Sequence, residues 1–525
     1  MIYRSLIDRT YSPHLSMDID STELQEQLPE PLPQPTRVQN NLQGPSWMTA
    51  MVLSAMAGGM GWGIRGQYGH ETGAMIAGLL VSLVLVFLFC PRWSSLPAAR
   101  AVAMVTIAIS FGGSMTYGQT VGLTHDGPLI GNRDALRWGL LGLFIKGGIW
   151  IGFAGAFLGM SLSKKKYTSQ ELALLMISLI FLLFLGVYFV NEPFRPESRE
   201  LPLFYFSDHW NWEPDTELVP RRERWGGLLF ALSGLLIYVT IGKKDTLAGK
   251  MTLWGFLAGG IGFSLGQCIQ AAHAWNREAF HSLFVQDLGW DRMANINWWN
   301  MMETTFGAVF GAILALGLWL NRRDIQSDPG ALPVEIPNSA EWLLAGIHVT
   351  ALATWNFYSY RYLDFYADLA LTMGILPIVA ITAGRIWPYL LALPITALPI
   401  AGKTLKQLCY EESSIPIETG WGIYMAAPLG LAVLIALYFG YRKERPGGGK
   451  TFLRCALLFT TWLYFSLNWA FFHFPWPWEP WTSRTPNGIF FAICAIGLTL
   501  GALFLNRRQP QDESPKTEEA ALSSD

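Results

Sequence analysis

Three short stretches of this chain carry the same chemically capable side chains. Gly58-Gly59 leads to Gly66-Gln67 and His70-Glu71, Gly112-Gly113 to Gly118-Gln119 and His125-Asp126, and Gly259-Gly260 to Gly266-Gln267 and His273. An amide that both donates and accepts, an imidazole that titrates near neutrality and a following carboxylate suffice to bind and orient a polar ligand, or to move a proton. Gln67, Gln119 and Gln267, with His70, His125 and His273, are expected to converge on one pocket, with Glu71 and Asp126 beside two of the histidines. Arg65 is placed to hold a carboxylate or phosphate there, or to pair with Glu71. Three imidazoles and a carboxylate could hold a divalent ion. The spacing matches neither a helical His-x-x-x-His pair nor His-Glu-x-x-His, however, so the expectation is a shared polar site without metal. No cofactor is identified by any motif.

A second set lies inside apolar runs. Lys146, Glu303 and His348 each fall within a segment long enough to cross a bilayer. A charge at such depth is costly, so these side chains should face the bundle interior and pair with one another. Lys146 with Glu303 is the expected pair, either as a structural lock or as part of the site. Asp364 and Asp368, one helical turn apart, are further candidates.

These residues need a scaffold, and composition names its class. Of the 525 residues, 51% are hydrophobic and 14% charged, against about a quarter charged in soluble proteins. Apolar segments occur at about 47–66, 72–90, 101–119, 136–162, 171–190, 226–242, 249–270, 298–320, 340–358, 366–384, 386–401, 419–441, 451–472 and 488–506. The expectation is an all-α polytopic membrane protein of about fourteen transmembrane helices, built from helical hairpins, three of them repeat-like. The weakest segment is 386–401, with Pro388, Pro394 and Pro399. Lys and Arg clusters fall on alternate connections when both termini are cytoplasmic, as expected for a bacterial inner-membrane protein. The exception is Arg221, Arg222 and Arg224, assigned to a long outer loop.

Polar stretches divide the chain into a tail (1–46), an eight-helix repeat-bearing bundle (47–323), a linker (324–339), a six-helix bundle (340–506) and a second tail (507–525). Glycines four apart, notably Gly148, Gly152, Gly155 and Gly159, are expected at close helix contacts. The Gly-Gly…Gly-Gln ends should instead loosen their helices and line a polar vestibule. The run from His473 to Trp481 is read as an aromatic interfacial anchor. Five scattered cysteines show no metal spacing, and a Cys268–Cys409 disulfide is conceivable.

The net charge of −2 gives no support to nucleic-acid binding. Walker-type loops, nucleophile elbows and Cys-x-x-Cys pairs are absent. The expected partners are the lipid bilayer and either a small polar solute or a lipid-linked substrate. The first reading is a transporter or permease for a small polar or anionic solute. The alternative is a membrane-embedded transferase or hydrolase acting at the outer face.

Overall fold

In lipid the backbone must satisfy its own hydrogen bonds, and this chain does so with helices. The computed structural model describes residues 44–207, 209–289, 296–357, 373–473 and 481–505. Among them the fold is all-α, with only an isolated antiparallel bridge between Arg195 and Glu200. From Pro45 onward the chain forms a single compact unit.

The first part runs α1 (Trp47–Arg65), α2 (Glu71–Phe89), α3 (Ser95–Gly112), the short α4 (Gly118–His125), α5 (Arg133–Leu162), α6 (Ser169–Val190), α7 (Trp225–Ile237), α8 (Thr246–Trp275), the short α9 (Arg277–Ser282) and α10 (Trp298–Leu320). Further helices follow at Asn338–Phe357, Leu376–Ala383, Trp387–Glu411, Ile417–Tyr441, Gly448–Phe471 and Thr485–Phe504.

Among the described residues, ten helices are long and apolar enough to cross a membrane. Three of the remaining expected segments are helices of span length that do not reach the same apolarity: α1, Asn338–Phe357 and Gly448–Phe471. Met373–Ala383 is shorter. The proline-bearing segment does form a span, and it extends from Trp387 to Glu411. Pro394 lies in a wide π turn at Leu391–Ile395. A wide turn of this kind accommodates a residue that cannot donate a backbone hydrogen bond. The buried Glu341 carboxylate accepts from the backbone N–H of Arg385, Ile386 and Trp387 at 2.9, 2.6 and 2.7 Å, which fixes where this span begins.

Small residues set the closest helix contacts. A Cβ added at Gly58 would lie 2.1 Å from the Gly307 carbonyl oxygen, and one at Gly259 would lie 1.9 Å from that of Gly147. Backbones therefore touch between α1 and α10 and between α5 and α8. Within the expected stripe on α5, Gly155 and Gly159 face α8 backbone, whereas Gly148 faces the Phe256 ring and Gly152 faces Leu232.

The expected loosening occurs twice. α1 stops at Arg65 and α3 stops at Gly112, each before a turn. The third stretch behaves differently: Gly259 to Gln267 lies within the uninterrupted α8. Its glycines are pressed against Gly147 and, at Gly262 and Gly266, against α10, and that packing holds the helix continuous. All five cysteines are free, so Cys268 and Cys409 are not bridged. Asp364, Asp368 and most of the run from His473 to Trp481 lie outside the described residues.

Candidate functional site

The two interrupted ends make the site. The turn from α1 to α2, the turn from α3 into α4, the long segment before α7 and the start of α10 enclose a cavity of about 460 Å³. Its wall includes Arg65, His70, Gln119, His125, Asp126 and Glu303, all singled out from sequence, together with Tyr117, His209, Arg221 and Trp299.

Arg65 ends α1 and is 2% exposed. Its Nη1 donates to the Tyr117 hydroxyl at 2.8 Å and lies 3.8 Å from Glu303 Oε1. The guanidinium also lies over the rings of Trp62, Trp150 and Tyr117, at 4.9, 5.3 and 5.5 Å. Such cation–π contacts hold an arginine without using up its N–H donors. Arg65 Nε has no hydrogen-bond partner among the described residues. Glu303 reaches the site because Gly66 leaves room, since a Cβ at Gly66 would lie 2.2 Å from Glu303 Oε2.

Aromatic rings pack together behind Arg65. Trp62 meets Trp150, Phe306 and Phe310 edge-on, with centroids 4.9, 4.5 and 5.6 Å apart. Phe263 stacks on Phe306 at 4.7 Å.

His70 caps α2 and packs edge-on against Tyr117 at 5.0 Å. Burial, helped by the nearby positive charges of Arg65, Arg221 and Lys403, pushes its imidazole down to about 3, so it is neutral at physiological pH. Burial likewise raises the Tyr117 hydroxyl above its ordinary value, keeping it a neutral donor and acceptor. His125 Nδ1 lies 3.0 Å from the Val121 carbonyl oxygen. A proton on that nitrogen would donate to the carbonyl and leave Nε2 as an acceptor. Gln119 acts on the cavity wall, its amide donating to the Val219 carbonyl at 3.0 Å and accepting from Arg221 N–H at 3.1 Å.

Comparison with protein-family models, curated proteins and solved structures finds no match. The reading of this site therefore rests on its own geometry.

Several expected members are elsewhere. Lys146 is fully buried, and it pairs with Glu223 rather than Glu303: its Nζ donates to Glu223 Oε1 at 2.5 Å, Thr120 Oγ1 at 2.7 Å and the Thr116 carbonyl at 2.8 Å. Glu223 also accepts from Ser207 Oγ, Phe206 N–H and Trp225 Nε1. Gln267 is buried on α8 and donates to Thr124 Oγ1 at 2.5 Å, tying α4 down instead of lining the cavity. This follows from α8 remaining helical through that point. Gln67 faces a second, mostly apolar cavity with Lys403, Lys406 and Phe471. The three glutamines therefore do not share one pocket.

His273 stacks on Trp298 at 4.4 Å, and the trio of His70, His125 and His273 does not assemble. His348 is buried and stacks on Trp387 at 5.5 Å, away from the cavity wall. Glu71 sits in the first turn of α2 and is not part of that wall.

The residues that sequence reasoning passed over, Arg221 and Glu223 above all, come from the long segment between α6 and α7. The signal was present there as an arginine cluster that did not fit the charge rule.

Proposed function

We propose that the cavity binds an anionic group, and that the protein is a membrane-embedded transferase or hydrolase acting on a substrate admitted from this end of the bundle. The observation that carries the reading is the aromatic backing of Arg65. Arg65 and Arg221 contribute two positive charges to a polar cavity, and Arg65, on its wall, is backed by the rings of Trp62 and Trp150, with Phe306 and Phe310 packed on Trp62 behind them. A solute path on that side would have to continue past them, whereas a reaction site benefits from a dry backing. Guanidinium groups fit a phosphate or carboxylate. His125 Nε2, with its other nitrogen against the Val121 carbonyl, is the group suited to accept a proton. In this reading Arg65, His70, Gln119, His125, Asp126 and Glu303 belong to the substrate site, while Lys146 and Gln267 support it. The division into an eight-helix and a six-helix bundle, an outer-facing cavity and cytoplasmic termini belong to the same proposal.

The permease is the second reading. Wide π turns interrupt the spans at Leu391–Ile395, Lys406–Glu411 and Trp421–Ala426, and helices with such turns are suited to shifting register.

The test begins with thermal unfolding of the full chain in nanodiscs during titration with inorganic phosphate and pyrophosphate. Wild type is expected to be stabilised, and Arg221→Ala to need at least about tenfold more anion, as for the loss of one charge-assisted contact. No stabilisation of wild type by either anion would defeat the proposed anion site. Counterflow of the bound anion across sealed proteoliposomes would replace the enzyme by the permease.

A further inference from the structure

Asp126 and His209 on the cavity wall belong with Glu213 to a second grouping. Asp126, His209 and Glu213 come from two separate elements, yet one donor atom of each lies within 4.8 Å of the other two. His209 Nε2 is 3.5 Å from Asp126 Oδ2 and 3.9 Å from Glu213 Oε2. Ligands at about 2.1 Å around one tetrahedral ion stand roughly 3.4 Å apart, so two of these separations are already near the coordinated value.

Local structure explains the convergence. Asp126 is the residue at the end of α4. His209 and Glu213 are joined by a helix-like turn, in which Glu213 N–H donates to the His209 carbonyl at 2.5 Å. That turn places side chains four apart on one side.

Three independent features point to an occupant. His209 is 2% exposed, and neither of its ring nitrogens makes a hydrogen bond among the described residues. Nε2 has only the Asp126 and Glu213 carboxylates near it, at 3.5 and 3.9 Å, and a bound cation would satisfy the imidazole and both carboxylates together. Gly122 keeps the space open, since a Cβ there would lie 2.5 Å from Asp126 Oδ2 and 3.1 Å from His209 Nε2. Asp126 and His209 also face the cavity, so remaining coordination positions would be open to water or a substrate oxygen.

We propose that Asp126, His209 and Glu213 bind a divalent first-row transition-metal ion in the wall of this cavity. One imidazole and two carboxylates suit zinc or manganese, and three protein ligands leave the sphere incomplete, as in catalytic rather than structural sites. Bound there, the ion would act as a Lewis acid beside the Arg65 and Arg221 guanidinium groups. The inference shares the cavity with the function proposed above but does not depend on anion binding.

The test uses full-length protein in nanodiscs, stripped with EDTA and titrated with Co²⁺, whose visible absorption reports coordination. Wild type is expected to take up a single ion per chain, displaceable by Zn²⁺. His209→Ala and Glu213→Gln should each weaken uptake by about tenfold or more, because the first removes the imidazole ligand and the second replaces an anionic ligand with a neutral amide oxygen. His273→Ala, whose ring lies against Trp298, should bind as wild type. Should His209→Ala fail to fold, the near-isosteric Glu213→Gln decides. Absence of uptake by wild type, or uptake indifferent to both ligand substitutions, overturns the site. Phosphate stabilisation measured on the stripped protein separates the two ideas: if it persists while Co²⁺ fails to bind, only the metal inference is lost.

Discussion

Two buried ion pairs lie near the same end of the bundle, and they are built differently. Lys146 and Glu223 have nearly every hydrogen-bonding position filled: three acceptors surround the ammonium, and four donors converge on the carboxylate. Arg65 and Glu303 stand 3.8 Å apart, with no hydrogen-bond partner for Arg65 Nε among the described residues and a cavity beside them. Saturated pairs hold a structure together, since a further ligand has nothing left to bind. Unsaturated buried pairs retain donors for something else. Depth in the membrane alone does not separate these cases, because both pairs are fully or almost fully buried.

The contrast can be broken most forcefully at Lys146. Lys146→Met should strand the Glu223 carboxylate among buried neighbours, at about 3–5 kcal/mol. The expected readout is a large fall in the unfolding midpoint and in the yield of folded protein. A stable variant that lost only ligand binding would move Lys146 from scaffold to site. A smaller effect is expected at Gly66, whose backbone is in an ordinary helical conformation with φ of −51°, so alanine is refused only by space. Gly66→Ala should displace the Glu303 carboxylate, lower stability by about 1–3 kcal/mol and weaken phosphate binding in the titration described above.

A third handle is the effect of pH on His70, which is faced by Tyr117 and lies near Arg65, Arg221 and Lys403. Its folded value of about 3 lies below the ordinary 6.5, so the unfolded chain takes up the proton first. The contribution of neutral His70 to stability is therefore full above pH 6.5 and declines as pH falls from there toward 3. Unfolding midpoints of wild type should drop more steeply than those of His70→Gln between pH 6.5 and 4, and parallel curves would count against a buried neutral ring.

Much of this was legible before the fold was known. Low charge and long apolar runs require a helical membrane protein, and density of glycine next to ionisable residues marked two of the connections that meet at the cavity. Resemblance among short motifs misled at the third. Gly259-Gly260 and Gly266-Gln267 look like the other two stretches, but facing backbone at Gly147 and on α10 keeps that helix intact and turns Gln267 toward Thr124. Whether a glycine cluster ends a helix depends on what packs against it, and a single sequence does not contain that neighbour. His209, Glu213, Arg221 and Glu223 were hidden for a related reason. They lie in a segment without periodicity, whose path back over α4 and α5 is fixed by contacts far apart in the chain.

The Glu223 clasp also bears on biogenesis. The segment that presents His209 and Arg221 is anchored through Glu223 to an ammonium on α5, about midway along a 30-residue helix. A molecule whose fifth helix entered the bilayer at the wrong depth would leave that ammonium stranded and the overlying segment untethered at once. Correct insertion and a completed recess would then arise together, so a ligand could serve as a probe of proper assembly during synthesis.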